Sequence, residues 1–124
     1  MVSDLLSQDG YLYMNHEIMG PLILNELPAA EAIAWASKLS DSHSSISFDG
    51  KLTYPAYAYI PSKYLLCEND KIITPDMQRS MVEAAVKETG KTIDVISVAA
   101  GHGPTITVPD KVVEVIRMAA GEMI

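Results

Sequence analysis

The chain has 124 residues, of which 48% are apolar and 20% charged, with a net charge of -7 at pH 7. One packed core accounts for most of the surface a chain of this length can bury, so a single ordered domain over 1–124 is expected. The acidic balance repels phosphate backbones and anionic lipid surfaces, and the basic residues are scattered, so nucleic acid and membranes are not expected partners.

The apolar stretches Ile18 to Leu24 and Val112 to Ala120 are too short or too interrupted to span a bilayer, and Met1 to Gln8 has no basic region leading into an apolar core. Cys67 is the single cysteine and can form no internal disulfide, which makes a reducing compartment, the cytosol, the default expectation.

Taken in chain order, Asp9-Gly10 is a turn signal before Tyr11 to Met14, which is expected to be connecting structure. Asn15 suits an N-cap, and Ile18, Met19, Leu22 and Ile23 recur at helical spacing, so a short helix over about His16 to Asn25 is predicted, although Pro21 fits a helix only near its first turn. Pro28 then opens a helix from Ala29 to Leu39. The serine-rich segment from Ser40 to Gly50 favours loops and caps over regular structure.

Lys63 to Cys67 is a compact apolar run closed by the polar cluster Glu68-Asn69-Asp70, as in a buried strand with polar residues at its C-terminal end. Pro75 opens a helix to about Glu88 with Met77, Met81, Ala84 and Ala85 expected on its inner face, and Gly90 stops it. Thr92 to Ala99 is rich in β-branched residues and is predicted to be a second strand. Gly101 to Pro104 forms a loop. Pro109 starts a last helix whose expected buried stripe is Val112, Val113, Ile116 and Ala120.

Two strands joined by a helix are parallel with a right-handed crossover, and ligands of such sheets bind beyond the carboxyl ends of the strands. Asp70 follows the first strand and His102 the second, so a carboxylate and an imidazole converge on one rim. An acid on one ring nitrogen fixes the tautomer and leaves the other nitrogen as a general base. A two-stranded sheet has exposed edges and too little surface to bury, so more sheet is expected from self-association.

Tyr64 to Pro75 with Gln78, then Ala100-Gly101-His102-Gly103-Pro104 and Pro109 to Ala120, resemble the last two strands and helices of an α/β-hydrolase, nearest to the esterase and hydroxynitrile lyase-like branch abundant in fungi. Asn25 to Pro28 and Ala34 to Leu39 resemble the end of that family's cap. The resemblance implies a partial α/β-hydrolase fold, with a cap-like helical region over 1–50, a β-α-β-α half over 61–124 and a sheet completed by dimerisation. It also implies that the aspartate matching Asp70 orients the histidine matching His102.

Members carry a serine in a G-x-S-x-G elbow, and no serine here has that setting. Three readings follow. The first is a homodimer that binds a small apolar metabolite and uses His102 and Asp70 for non-hydrolytic acid-base chemistry of the isomerase, lyase or cyclase type, in a fungal secondary-metabolic setting. The others are a non-catalytic half-domain that pairs with another chain, and a truncated serine esterase.

Cys67 lies in an apolar strand, where cysteine is more often inert packing than a nucleophile. His16 and His43 are expected to be solvated and lack partners at metal-ligand spacing, so neither a metal nor a cofactor is expected. Met14, Met19, Tyr54, Tyr57 and Tyr59 suit an apolar pocket, plain core or a dimer contact, and Trp35 suits packing or a pocket lid.

Overall fold

The computed structural model describes residues 5–123. It opens with a β-hairpin where connecting structure was expected: β1 (Leu5–Gln8) pairs antiparallel with β2 (Tyr11–Met14). Asp9 and Gly10 have φ of 52° and 80°. Two successive left-handed residues make a two-residue hairpin turn that matches strand twist, and Asp-Gly tolerates it.

The second edge of β2 recruits part of the serine-rich segment as β3 (Ser42–Ser44), with Leu12 opposite His43. A free row of β2 backbone groups needs partners, and that tertiary demand overrides the local preference of serine for loops. The N-terminal region is therefore a three-stranded antiparallel sheet with two helices rather than a purely helical cap.

Helix α1 (His16–Ile23) is capped by Asn15, whose Oδ1 accepts the Glu17 and Ile18 amides at 3.1 and 3.3 Å. Pro21 stands well past the first turn, and the helix tolerates it. Helix α2 (Ala29–Ala36) ends short of Leu39 because its last amides, Lys38 and Leu39, bond the carbonyls of Trp35 and Ala36 in a tighter turn. The two helices approach closely at Gly20, where a Cβ would stand 3.0 Å from both Ala32 O and Ile33 Cα. Ala32 and Ala36 are wholly buried in that contact.

In the second half, β4 (Ser62–Cys67) and β5 (Ile93–Val98) are parallel with Lys63 opposite Asp94 and Cys67 opposite Val98. Helix α3 (Pro75–Thr89) joins them, with Thr74 as its N-cap, Pro75 in its first turn and Gly90 in the left-handed conformation at its end. After β5 come the short α4 (Pro104–Thr107), absent from the sequence expectation, and α5 (Pro109–Ala119).

The expected inner faces of α3 and α5 need correction. Met77 and Met81 are about half exposed, and the α3 positions turned inward are Gln78, Val82, Ala85 and Val86. On α5, Val113 and Ile116 are exposed at 52% and 61%, while Val112, Val115 and Met118 are half-buried. Two strands give each helix only a narrow sheet surface, so an amphipathic stripe wide enough for a full sheet keeps one side in water. The largest fully buried side chains are Leu24, at the end of α1, and Leu66, in β4.

Candidate active site

Asp70 and His102 meet beyond the carboxyl ends of β4 and β5. The ladder continues past the strands, Glu68 N–H donating to Val98 O and Asn69 N–H to Ala100 O at 2.9 and 3.0 Å, so the two loops leave the sheet side by side. Asp70 is buried, and its Oδ1 accepts the Ile72 and Ile73 amides at 2.8 and 3.0 Å. Its Oδ2 lies 2.9 Å from Nδ1 of His102. An ionised carboxylate only accepts, so Nδ1 carries the proton and Nε2 is the basic nitrogen. The imidazole is 35% exposed, which leaves it open to a reactant.

The histidine loop is seated on the end of α1. Gly103 N–H donates to Ile23 O at 3.1 Å, and a Cβ on Gly103 would run into the Leu24 side chain. A Cβ on Gly101 would meet the Asn25 carboxamide, whose Nδ2 donates to Asn69 O at 3.2 Å. Side-chain-free residues on either side of His102 thus let the cap-like segment touch the loop backbone directly.

Beneath the pair, Gln78 is 3% exposed and bonds the backbone of Cys67 and Ile73. Sequence reasoning assigned Gln78 no task; a glutamine on the inward side of an otherwise apolar helical face was the available signal. Glu68 accepts the Ser97 hydroxyl at 2.8 Å and the Arg79 guanidinium at 2.8 and 3.0 Å, and these partners hold its carboxyl below the usual range. One carboxylate therefore joins β4, β5 and α3 at the rim.

Burial, with the nearby charges of Asp70 and Glu26, pushes the Cys67 thiol up, away from the thiolate a nucleophile needs. Among the described residues, no hydroxyl or thiol hydrogen-bonds to His102. His16 is not solvated as expected: its Nε2 is buried 3.6 Å from Asp41 Oδ1. His43 is exposed and bonds Ser47 Oγ at 3.2 Å. No group of three or more His, Cys, Asp or Glu suited to a metal occurs among the described residues.

A cavity of about 360 Å³ lies at the amino ends of the strands, lined by Tyr57, Tyr59, Ile60, Lys63, Lys91 and Asp94 among others. A six-residue strand, about 20 Å, separates it from the pair. Tyr57 and Tyr59 thus line a cavity away from His102, and Tyr54 stacks on Tyr59 with centroids 5.0 Å apart. Trp35 is 38% exposed, with the Lys38 ammonium 4.3 Å over its ring.

The model of the alpha/beta hydrolase family matches residues 3–115. The chain belongs to the alpha/beta hydrolase family. Its relatives include a probable hydrolase, R7, from Phoma sp., 32% identical over 113 residues, which cover 91% of this chain and 46% of that protein. The alpha/beta hydrolase nvfD of Aspergillus novofumigatus is 34% identical over 90 residues, or 73% of this chain and 34% of its own length. The crystal structure of the pyrethroid hydrolase PytH superposes with a TM-score of 0.68 at 20% identity, over 95% of this chain and 46% of that one. This hydrolase-family chain therefore spans less than half the length of each of these three proteins. No helix among its described residues is long and apolar enough to cross a membrane.

Proposed function

We propose that His102, oriented by Asp70, is a general acid-base that moves protons on a small, largely apolar metabolite, in chemistry of the isomerase, lyase or cyclase type. The observation carrying this reading is the 2.9 Å Nδ1 to Oδ2 contact with the histidine ring left partly open. With Nδ1–H held by Asp70, Nε2 takes a substrate proton, and the carboxylate stabilises the imidazolium that forms. The proton then returns to a second substrate atom. No acyl-enzyme is needed, which suits a site where the described residues bring no nucleophile to the imidazole. The fungal origin of both curated relatives supports a setting in fungal secondary metabolism, the open sheet supports a homodimer, and the single cysteine suits a reducing, cytoplasmic compartment.

A second reading, a serine hydrolase whose nucleophile comes from polypeptide beyond these residues, is favoured by the relatives' names and by the 46% and 34% of their lengths that this chain spans. Ring opening of nitrobenzisoxazole, a probe of general-base catalysis, separates the readings when run beside p-nitrophenyl acetate hydrolysis. The proposal expects probe turnover that falls about 10²- to 10⁴-fold in His102→Ala, with little ester hydrolysis. Unchanged probe turnover in that variant defeats the proposal. Ester hydrolysis that appears only when the further polypeptide is present, and that a serine-directed phosphonofluoridate abolishes, establishes the second reading.

A further inference from the structure

We infer that Gln78 is a positioning residue for the Asp70–His102 pair, acting as a substitute for a neighbouring strand at the exposed edge of β4. The inference rests on the acid-base reading above and adds to it the side chain that fixes the acid.

In the parallel ladder, Glu68 N–H donates to Val98 O, so alternate β4 residues, Leu66 and Glu68, direct their backbone groups to β5. Cys67 directs its N–H and C=O the other way, where no strand lies among the described residues. Cys67 is 6% exposed, so without Gln78 its N–H would be buried and unpaired and its C=O would keep only the long 3.3 Å bond from Asp70 N–H. Gln78 meets them as a strand would. Its Oε1 accepts Cys67 N–H and its Nε2 donates to Cys67 O, each at 3.0 Å.

The second proton of Nε2 goes to Ile73 O at 2.7 Å. Ile73 closes the turn whose Ile72 and Ile73 amides hold Asp70 Oδ1. One carboxamide therefore clamps Cys67 and Ile73 together, and Asp70 stands midway, three residues from each. With the turn shut, Oδ1 is committed to two amides and Oδ2 faces His102. An apolar residue of the same length leaves Cys67 N–H and Ile73 O unpaired, leaves Cys67 O with only the 3.3 Å bond from Asp70 N–H, and lets the turn open. A glutamate cannot supply two donors.

The test uses the whole chain and three proteins: the wild type, Gln78→Met, and Val82→Ala, which loosens the inward side of the same helix without touching the carboxamide. Long-range ¹H–¹⁵N spectra report the His102 tautomer, and amide exchange reports Ile72 and Ile73. The wild type and Val82→Ala are expected to hold the Nδ1–H tautomer. Gln78→Met is expected to give mixed tautomers and exchange at Ile72 and Ile73 at least about 10-fold faster than Val82→Ala at matched global stability.

A Gln78→Met protein that keeps both signatures overturns the assignment, whatever its melting temperature. Should that variant not fold, the wild type decides: Gln78 carboxamide protons protected at least about 10²-fold support the assignment, and exchange at the free-amide rate overturns it. A wild type without probe turnover whose tautomer still depends on Gln78 supports this assignment while overturning the acid-base reading, so the two fail separately.

Discussion

Asp70 has each carboxylate oxygen engaged: Oδ1 holds two backbone amides and Oδ2 faces the imidazole. Such charge-assisted bonds contribute about 1.5–3 kcal/mol each, which explains how a carboxylate can be buried at the rim of so small a core. Cys67, three residues earlier, is the opposite case. Its pKa is raised in the folded chain, so above the ordinary thiol value, about 8.5, the unfolded chain ionises first. The stability attached to this group is constant below that pH and is lost as pH rises from the unfolded toward the folded value. Cys67→Ser, whose hydroxyl does not ionise in this range, is expected to flatten the alkaline fall in melting temperature. Wild-type alkylation by iodoacetamide at pH 8 is expected to be slow until denaturant is added. Rapid alkylation of the native protein contradicts the buried thiol. Both residues were legible from sequence as a polar cluster closing an apolar run, but the partners of Asp70 Oδ1 depend on a turn that residue types alone do not specify.

At the scale of elements, caps and turns follow local chemistry closely. Asn15 and Thr74 cap α1 and α3, and Gly90 ends α3 in the left-handed conformation. Thr74 accepts Met77 N–H at 3.4 Å, at the helix start that also presents Gln78 to β4. Thr74→Ala is expected to destabilise the fold by about 1 kcal/mol, read as a lower denaturant midpoint with unchanged slope. A neutral result rules out a contribution from this cap. The misread elements share one cause. β3 and the inward faces of α3 and α5 are set by what lies alongside them, and a serine-rich stretch or a broad apolar stripe carries no label for its partner.

For the whole molecule, the open edge of β4 is shorter than a two-stranded sheet suggests. Pro61 has no N–H, and Gln78 occupies Cys67, so the outward groups left on β4 are those of Lys63 and Leu65. These four groups are self-complementary: antiparallel pairing about a twofold axis near Tyr64 sets Lys63 against Leu65 of a second copy and satisfies them all. Exposed Met77, Met81, Val113 and Ile116 supply further apolar surface. Sedimentation at tens of micromolar is expected to show a dimer that Leu65→Pro dissociates, since that change removes an outward N–H and no β4–β5 bond. A monomeric wild type defeats the proposed homodimer.

The sequence by itself determined the β-α-β order, the starts of the four longer helices, the glycine stop of α3, the turn at Asp9-Gly10 and the placing of Asp70 and His102 after successive strands, because these depend on neighbours within a few residues. It also carried the family, through the motifs around those two residues. The tertiary structure alone decided that β2 recruits β3, that Gln78 replaces a strand, and that the apolar faces of α3 and α5 stay partly in water. Those outcomes depend on how many strands are present to pair and to be covered, a property of the assembled chain that no local stretch encodes.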